Sequence, residues 1–370
     1  LLMGSLKDKY YTKQIITYLG NKRLLLKEIE SLVLKVKKNL NKDKIISADL
    51  FSGSGIVSRL FKKHSSLVIA NDIEKYSKII NECFLSNKSD FDVVEFNDIL
   101  IKINNKIAKE PIEGIIAKNY APKDDNDIKI HERVFYTREN AVYIDSFRYH
   151  MDNLVPANLK KYFLALLITE ASIHVNTSGV FKGFYKDKKT GIGKFGGTDE
   201  NALSRIKSKV KIEEPILSNH ETDYLIFQED AIKLSKTLQE VDLAYLDPPY
   251  NQHPYGSNYF MLNIIINNEI PAETSKVSGI PNDWNRSPFN RKADALISME
   301  KIIKSLKAKY IIVSYNNEGF ITFDEMENML KKYEKVESKQ IKYNTFRGSR
   351  NLNSRNTYTS EYLFILEKGV

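Results

Sequence analysis

Cysteine and tryptophan are almost absent from this 370-residue chain, which contains one of each. The single cysteine, Cys83, excludes a disulfide framework and a cysteine-based zinc site, and no residue is assigned to a metal. Long apolar runs are also missing, since no stretch approaches the ~18 consecutive apolar residues that a membrane-spanning helix needs. Nor do the first residues have the pattern of a secretory signal peptide. These absences favour a cytoplasmic protein without a membrane partner.

The chain has a modest excess of positive charge, with 56 Lys and Arg residues against 47 Asp and Glu and a net charge of +9. This excess favours a polyanionic partner, although many lysine-rich proteins are simply well solvated. A hydrophobic content of 42% is enough for an ordinary globular core. The length fits either one large domain with an insertion or two domains.

One stretch combines a predicted buried strand with a polar end: residues 243–246, followed by Asp247, Pro248, Pro249 and Tyr250. Pro248 must end the strand because proline has no N–H for the ladder. Asp247 therefore lies at the carboxyl end of a central strand, where open α/β sheets bind ligands. Its carboxylate and a neighbouring carbonyl are two acceptors for an amino group, and Tyr250 offers a flat face to a planar base. A strand that ends in a turn with a surface tyrosine would show the same pattern, so other motifs must decide.

Residues 45–55 predict a strand that runs into a loop of small residues, where Gly53 and Gly55 would allow a ligand to approach closely. The third glycine of the dinucleotide-binding pattern is absent. Residues 67–72 predict a second buried strand, and Asp72 stands where Rossmann-like folds place the acid that binds ribose hydroxyls. Asp72 could equally cap the next helix, and the two roles are compatible.

Gly20 and Asn21 form a predicted turn before a helix, and Lys22 and Arg23 follow. Backbone N–H groups and a cation at one place suit a carboxylate or a phosphate. An ordinary helix start with two solvated cations explains the pattern at least as well.

The alternation of strands and helices lapses after about residue 100. Residues 101–130 are polar and mixed, whereas residues 137–175 have the apolar spacing of helices. Residues 176–197 then interleave glycines, lysines and aromatics, a composition typical of a surface that binds a DNA groove or a single strand. A solvated loop with packing aromatics is the alternative.

The alternation returns with predicted strands over residues 224–230 and 310–316. The last two predicted strands, near residues 336–343 and 361–366, are close enough in sequence to be antiparallel. Three arginines lie in the loop between them: Arg347, Arg350 and Arg355. They suggest phosphate contacts, with a solvated loop as the alternative.

Each motif is ambiguous alone, but their order resembles that of the alpha class of amino-methyltransferases, the DNA adenine methylases of bacterial restriction–modification systems and phages. The resemblance covers nearly the whole chain. The motifs that carry it are Tyr-x-Gly-Asn-Lys-Arg (residues 18–23), Asp-Leu-Phe-Ser-Gly-Ser-Gly (49–55), Asn-Asp (71–72), Asn-Thr-Ser-Gly-Val-Phe (176–181), Asp-Pro-Pro-Tyr (247–250), Tyr-Gly-Ser-Asn-Tyr (255–259) and Ser-Tyr-Asn-Asn-Glu-Gly (314–319).

This resemblance implies an α/β fold with a Rossmann-like S-adenosylmethionine-dependent methyltransferase sheet, mostly parallel with an antiparallel C-terminal strand. Residues 1–100 and 223–370 would form the catalytic domain, and residues 101–222 an inserted, largely helical target-recognition region. S-adenosyl-L-methionine would be the cofactor and double-stranded DNA the partner. A cognate restriction endonuclease would be a second partner in a restriction–modification system.

The family pattern also implies roles for individual residues. Lys22 would lie near the carboxylate of the cofactor, Asp72 would bind its ribose hydroxyls and Asp230 would lie near its adenine. The implied cofactor-binding set is Tyr18, Lys22, Phe51, Ser52, Gly53, Asp72, Asp230 and Asp247. The implied catalytic motif is Asp247, Pro248, Pro249 and Tyr250. DNA contacts are expected at Asn176, Thr177, Lys182, Lys186, Lys194, Arg347 and Arg350. The glycine loop reads Phe-Ser-Gly-Ser-Gly where many relatives carry Phe-x-Gly-Gly or a close variant, so its detailed shape is open.

The expected reaction is methyl transfer to the N6 amino group of an adenine flipped out of the duplex, with Tyr250 stacked on the base. The amino nitrogen is a poor nucleophile because its lone pair is conjugated with the ring. Acceptors at Asp247 and the Pro248 carbonyl would hold both N–H groups and aim the lone pair, so that orientation and electrostatics replace a strong base.

Three alternatives remain open. A cytosine-N4 methyltransferase more often begins the corresponding motif with serine. An rRNA adenine methylase usually begins it with asparagine and lacks so long an insert. A non-catalytic DNA-binding specificity subunit could keep the fold, but the intact Asp247 and Lys22 argue against a retired site.

Overall fold

The computed structural model describes residues 8–197, 200–344 and 358–368, and the strands within these ranges form one seven-stranded sheet. The strands are Ile45–Asp49 (β1), Ser65–Asn71 (β2), Asp223–Phe227 (β3), Val241–Leu246 (β4), Ala308–Asn316 (β5), Glu334–Asn344 (β6) and Tyr358–Lys368 (β7). Their order is β3-β2-β1-β4-β5-β7-β6. The first five strands pair in parallel, and β7 is antiparallel to both β5 and β6. The predicted fold class, including the antiparallel C-terminal part, is confirmed.

Helices connect and cover these strands. Those of the described residues are Lys9–Thr12 (α1), Leu26–Leu40 (α2), Ile56–His64 (α3), Lys75–Phe84 (α4), Val93–Lys109 (α5), Ile115–Asn119 (α6), Arg138–Leu154 (α7), Lys160–Ile173 (α8), Leu203–Lys207 (α9), Ala231–Thr237 (α10), Tyr255–Asn258 (α11), Phe260–Asn267 (α12), Lys292–Ser305 (α13) and Phe323–Leu330 (α14). Within the described ranges, none of these helices has the length and apolar character needed to cross a membrane.

The helix α5 is the main departure from the sequence-based expectation. Its second half, residues 101–109, lies in the stretch whose composition is polar and mixed. Only Phe96, Ile99 and Ile103 of its 17 residues are buried. Those three residues follow the spacing of one helix face, a sparse form of the usual pattern. The predicted helices over residues 137–175 are confirmed as α7 and α8.

Both faces of the sheet are covered, as β4 illustrates. Leu243 and Tyr245 pack with α2 and α3, whereas Ala244 and Leu246 pack with α10 and α13 on the opposite face. Successive side chains of a strand point to opposite faces, so a strand covered on both sides reads as an uninterrupted apolar run. Each fully buried leucine contributes about 1.5–3 kcal/mol to stability, which anchors the end of β4 where the polar motif begins.

The strand order changes direction beside β1, because β2 and β3 lie on one side of it and β4 and β5 on the other. In open α/β sheets, ligands bind at the carboxyl ends of strands at such a switch point. Asp49, the last residue of β1, pairs with Tyr245 of β4. The loops after these two strands, with Gly53 and Asp247, therefore emerge next to each other.

A second core, made only of helices and loops, lies beside the sheet. It combines α5, α7 and α8 with α4, α12 and the segment around Ile15 and Ile16. The helix α8 is buried around most of its circumference, as expected for the central helix of such a core. This helical core therefore joins part of the predicted insert to elements from the predicted catalytic region. Residues 101–222 remain a prediction as a separate recognition region.

Candidate active site

The loop between β1 and α3 brings bare backbone to the edge of a cleft. Gly53 and Gly55 have positive φ angles of 50° and 73°. A Cβ on Gly53 would lie 2.6 Å from the ring of Tyr18, and one on Gly55 would lie 2.6 Å from Oδ1 of Asn81. Both positions therefore need glycine for conformation and for space.

Asp72 follows β2 and fixes this loop from the side. Its Oδ2 accepts a hydrogen bond from Gly53 N–H at 2.8 Å, and its Oδ1 accepts one from Glu74 N–H at 2.9 Å. Burial raises the pKa of the Asp72 carboxyl to about 6, although both N–H groups oppose the shift. The helix α4 begins at Lys75 with Glu74 as its N-cap residue, so Asp72 shapes the turn before the helix.

A cleft lies over the carboxyl ends of β1, β2 and β4. It brings together every residue predicted to bind the cofactor: Tyr18, Lys22, Phe51, Ser52, Gly53, Asp72, Asp230 and Asp247. Asp230 also caps α10, since its Oδ1 accepts a hydrogen bond from Lys233 N–H at 3.0 Å. Sequence reasoning therefore identified one wall of a single cleft from residues scattered over the chain.

Six carboxyl groups line the cleft: those of Asp49, Asp72, Glu74, Glu229, Asp230 and Asp247. Burial raises the pKa of Asp49 and that of Glu74 to about 7 each. Ser58 Oγ donates to Oδ2 of Asp49 at 2.7 Å, while Oδ1 of Asp49 is buried without a hydrogen-bond partner of normal geometry among the described residues. The backbone N–H of Phe51 nevertheless lies close enough to this carboxyl group to lower its pKa. Asp49 can therefore offer Oδ1 to a cationic or hydrogen-bonding ligand, although Oδ1 is not isolated from polar groups.

Asp247 lies at the mouth of the cleft, directly after β4, with 18% of its side chain exposed. Lys22 Nζ is 2.9 Å from Oδ1 of Asp247, 2.9 Å from Oε1 of Glu361 and 3.1 Å from the carbonyl oxygen of Gly20. An ammonium group has three hydrogens, and these three acceptors can use all of them. Burial raises the pKa of Asp247 to about 7; Lys22 lowers this pKa and Glu361 raises it.

This geometry bears on the role predicted for Lys22. The side chain lines the cleft as expected, but its ammonium group is already engaged by Asp247 and Glu361. A contact with the carboxylate of a cofactor would have to replace one of these partners. The contact stays a prediction, and the geometry favours a role for Lys22 toward Asp247.

Two tyrosines of the Tyr-Gly-Ser-Asn-Tyr motif hold the N-terminal segment in place. Tyr259 Oη accepts a hydrogen bond from Leu19 N–H at 2.8 Å, and Tyr255 Oη donates one to the Leu19 carbonyl at 3.0 Å. The ring of Tyr18 stacks on both, with centroid distances of 4.9 Å. This clamp fixes the turn that carries Lys22, a role for the motif that spacing alone did not suggest.

Tyr250 is held from the other side of the site. Its carbonyl accepts a hydrogen bond from Phe320 N–H at 2.9 Å, and its ring meets the edge of Tyr315 at 6.4 Å. Both partners lie at or after the end of β5. Pro249 lines the cleft beside Asp247, and Pro248 is buried. Of the predicted catalytic motif, Asp247 and Pro249 therefore line the cleft, whereas Pro248 and Tyr250 are not among its lining residues.

Sequence reasoning missed a further wall of the cleft, formed by the loop between α12 and α13. Its lining residues are Asn285, Ser287, Phe289 and Asn290. Phe289 meets Phe51 edge-on at 5.4 Å, and Asn290 Nδ2 donates to the carbonyl of Asn251 at 2.8 Å. The loop has no periodic pattern, and Glu74 has no local signal, so only the tertiary arrangement identifies them. Asp49 had one, because it ends a strand and opens the motif at residues 49–55, but no role was predicted for it.

Two residues predicted to contact DNA are buried instead. Asn176 is 0% exposed, and its amide donates to the carbonyls of Val134 and Lys194 and accepts from Gly196 N–H. Thr177 is 2% exposed. These side chains can reach DNA only by leaving the core, so we correct the prediction and assign them to holding the loop that follows.

The predicted lysines of that loop are exposed. Lys186 and Gly193 form an isolated β-bridge, and Lys186 lies over the ring of Phe184 at 4.9 Å. Lys182 is exposed as well, and Lys194 makes a solvent-exposed ion pair with Glu200 at 3.3 Å, which contributes little to stability. Arg347, Arg350 and Arg355 lie outside the described residues, so their predicted contacts stay predictions.

A glycine loop after β1, an acid after β2 and the start of Asp-Pro-Pro-Tyr after β4 meet in one cleft of a mostly parallel sheet. Together they define an α/β methyltransferase that acts on an amino group. Comparison with known proteins makes this specific: the chain belongs to the D12 class of N6 adenine-specific DNA methyltransferases, whose family model matches residues 18–329. It is an enzyme of that activity, and neither a cytosine-N4 methyltransferase nor a non-catalytic subunit is favoured.

Two relatives match over nearly their full lengths. The type II methyltransferase M.NlaIII of Neisseria lactamica is 29% identical over 360 residues, covering 95% of this chain and 99% of the relative. The type II methyltransferase M.CviAII of Paramecium bursaria Chlorella virus 1 is 28% identical, covering 95% of this chain and 98% of the relative. The type II methyltransferase M.FokI of Planomicrobium okeanokoites is 28% identical over 95% of this chain, which corresponds to 53% of that relative.

Proposed function

We propose that this protein is the modification methyltransferase of a type II restriction–modification system, which methylates N6 of a flipped-out adenine in double-stranded DNA with S-adenosyl-L-methionine. The observation that carries the site assignment is Asp247, held by Lys22 at the mouth of a cleft lined by carboxylates. The near full-length similarity to M.NlaIII and M.CviAII supports the type II assignment.

The cleft fits this cofactor by its chemistry. S-adenosylmethionine carries an ammonium and a sulfonium group, and acceptors are abundant where Asp49 and Asp247 line the cleft. We assign the cofactor's ammonium group to the buried Asp49 and its ribose hydroxyls to Asp72. Asp230 and the rings of Phe51 and Phe289 suit the adenosine end. When bound, the cofactor supplies an electrophilic methyl group.

The chain's own contribution to the reaction is orientation and charge. Asp247 and the carbonyl of Pro248 accept the two N–H groups of the target adenine, which favours a pyramidal nitrogen with its lone pair free to react. The negative charge of Asp247 then stabilises the positive charge that develops on this nitrogen. Tyr250 stacks on the extruded base and offsets part of the loss of stacking in the duplex.

The exposed lysines are the proposed contacts to the DNA backbone. Lys182, Lys186 and Lys194 lie in one loop region beside the helical core, and Arg347 and Arg350 are proposed to join them. Such contacts position a duplex without reading its sequence. We assign target recognition to residues 101–222. A cytoplasmic restriction endonuclease with the same recognition sequence is the proposed partner.

Expression in a host without DNA methylation tests the reaction and its sequence preference together. Genomic DNA is digested to nucleosides, which are separated by mass, and its methylation marks are sequenced. We expect N6-methyladenine at one short recognition sequence. N4-methylcytosine as the product, or no methylated nucleoside at all, would contradict the assignment.

Asp247→Ala is the matched inactive variant. In the unmodified protein, the interaction of Asp247 with the amino group strengthens as the nitrogen becomes pyramidal. Loss of the carboxylate therefore slows the chemical step. We expect the single-turnover rate to fall by about a hundredfold to a thousandfold, with affinities for cofactor and DNA largely kept. A fall in binding with an unchanged rate would refute this role for Asp247.

A further inference from the structure

The ammonium group of Lys22 is shared by two carboxylates that come from distant parts of the chain. Lys22 begins the short 3-10 turn Lys22–Leu25 before α2, Asp247 follows β4, and Glu361 lies on β7. The two distances from Nζ are equal at 2.9 Å, and Lys22 is 3% exposed. With both acids ionised, the three groups carry a net charge of −1 rather than forming a neutral pair.

Glu361 is built into the fold at this position. It is 1% exposed and pairs in register with Asn316 at the end of β5. Ser314 Oγ donates to its Oε1 at 2.7 Å, and Asn316 Nδ2 donates to its Oε2 at 3.3 Å. Burying a carboxylate is costly unless it is paired and hydrogen-bonded, and these partners come from the Ser-Tyr-Asn-Asn-Glu-Gly motif.

We propose that Glu361 is a positioning residue for methyl transfer: it holds Lys22 against Asp247 and restores the negative charge that Lys22 alone would cancel. This inference rests on the proposed function, in which Asp247 accepts the amino group of the target adenine. The amino nitrogen becomes positively charged as the N–CH3 bond forms and the S–CH3 bond of the methyl donor breaks, and the nitrogen then releases one N–H proton to water. A site with net charge −1 stabilises that charge better than a neutral ion pair does.

The electrostatics around Asp247 agree with this arrangement. The titratable groups that face it are Lys22, Glu361, Asp49, Tyr245, Tyr250 and Tyr255. Burial raises the pKa of each of the three tyrosines, so these remain neutral at working pH. Lys22 and Glu361 are therefore the charged neighbours that shift the pKa of Asp247, whereas Asp247 in turn raises the pKa of Asp49. Glu361 raises the pKa of Asp247 and Lys22 lowers it.

The sign of each effect gives two distinct expectations for Glu361→Gln. Losing its charge lowers the pKa of Asp247, so the acidic limb of the pH–rate profile moves to lower pH by roughly one unit. Losing the net negative charge also lowers the plateau rate by about tenfold. Structural damage alone would lower the plateau rate without shifting the acidic limb of the pH–rate profile. A lower plateau rate together with a limb shifted to lower pH therefore distinguishes the proposed role from structural damage.

The test is the single-turnover methylation rate across pH at saturating cofactor and DNA, for the full chain. The control is Glu367→Gln, the same substitution at an exposed position six residues further along β7, which should leave the profile unchanged. Lys22→Met is the second variant, and its acidic limb should move to higher pH, which keeps the inference testable if Glu361→Gln does not fold. Thermal unfolding and cofactor titration establish which variants are folded.

The possible outcomes distinguish a failure of the role of Glu361 from a failure of the proposed function. Limbs that move in opposite directions in Glu361→Gln and Lys22→Met support the role of Glu361. An unmoved limb in a folded Glu361→Gln, with Asp247→Asn inactive, would overturn the role of Glu361 alone. An active Asp247→Asn with the same acidic limb as the unmodified protein would overturn the proposed function of Asp247 as well.

Discussion

Asp247 and Tyr250 lie three residues apart in the chain but are held by different neighbours. Lys22, near the N-terminus, fixes the carboxylate, whereas the backbone of Phe320 after β5 fixes Tyr250. A substitution at one therefore need not displace the other. This separation allows the stacking and the hydrogen-bonding parts of the proposed mechanism to be tested independently.

Tyr250→Phe should keep much of the activity, whereas Tyr250→Ala should lose most of it, because stacking requires a ring face and not a hydroxyl. A stacked base contributes about 1–3 kcal/mol in protein–nucleic acid contacts. We therefore expect a fall of roughly tenfold or more in kcat/KM for Tyr250→Ala, measured by methyl transfer to a cognate duplex. Tyr149→Ala, at an exposed tyrosine on α7, is the control. Equal losses in Tyr250→Phe and Tyr250→Ala would instead assign the role to the hydroxyl.

Asp72→Ala should weaken cofactor binding by about tenfold to a hundredfold, the effect of losing about 1.5–3 kcal/mol of charged hydrogen bonding. The variant also frees the N–H groups of Gly53 and Glu74. Calorimetric titration with S-adenosylmethionine measures the change. The matched control is Asp223→Ala. Asp223 is exposed and is the first residue of the neighbouring strand β3, at the end of that strand away from the cleft. Unchanged affinity in Asp72→Ala would remove this residue from the site.

At the scale of elements, the lysine-bearing loop is held by the core but exposes its charges. Replacing Lys182, Lys186 and Lys194 together by glutamine should flatten the dependence of log affinity for DNA on log salt. The slope should change by about one for each phosphate that the variant no longer neutralises. Fluorescence anisotropy over a series of salt concentrations measures it. The control is the same change at three other exposed lysines near the opposite end of the sheet: Lys331, Lys332 and Lys335. It removes the same number of positive charges. Identical slopes for the two triple variants would mean that the loop is only solvated surface.

The same loop depends on Asn176 for its path. Asn176→Ala would leave the carbonyls of Val134 and Lys194 and the N–H of Gly196 without their present side-chain partner. We expect the free energy of unfolding to fall by about 2–3 kcal/mol, because unpaired buried polar groups are costly. Urea denaturation measures this, and the exposed Asn282→Ala should change stability by no more than about 0.5 kcal/mol. If Asn176→Ala were as stable as the unmodified chain, the loop would have to be held by other contacts.

At the scale of the whole molecule, the cleft makes folding sensitive to pH. Burial raises the pKa of Asp49 to about 7, above the ordinary value for an unfolded chain of ~4. The folded state then holds a proton that the unfolded state releases. The stability contributed by this protonated group is complete below the unfolded pKa and is lost as pH rises through about 7.

Asp49→Asn removes this dependence at one position. Its melting temperature should exceed that of the unmodified chain at about pH 8, and the advantage should shrink at about pH 5. Differential scanning calorimetry without cofactor measures both, with the exposed Asp43→Asn as the control. An advantage that grew toward acid pH would reverse the sign assigned to Asp49.

Local signals account for what the sequence predicted correctly. The predicted strands have apolar runs or alternation, and the residues that line the cleft as predicted stand at strand ends or near a glycine turn, where type and position are informative together. Their binding of a cofactor stays a prediction. The roles of Glu361 and Asp49 depend on which strands lie side by side, and no local pattern contains that information. The predicted DNA contact at Asn176 was corrected because the sequence shows a polar residue in a Gly/Lys loop but does not show that this residue is buried.

The shared helical core has a consequence for how such enzymes change specificity. The helices α7 and α8 pack against α4 and α12, and α12 carries Asn263, which donates to Glu74 in the cleft at 3.0 Å. On the proposal that residues 101–222 recognise the target, a foreign region inserted in their place would have to match these helix faces as well as a new DNA sequence. Recombination at the ends of the insert would therefore usually produce misfolded hybrids. A lineage is better able to acquire a new target by point substitutions in exposed loops, with the helices inherited unchanged.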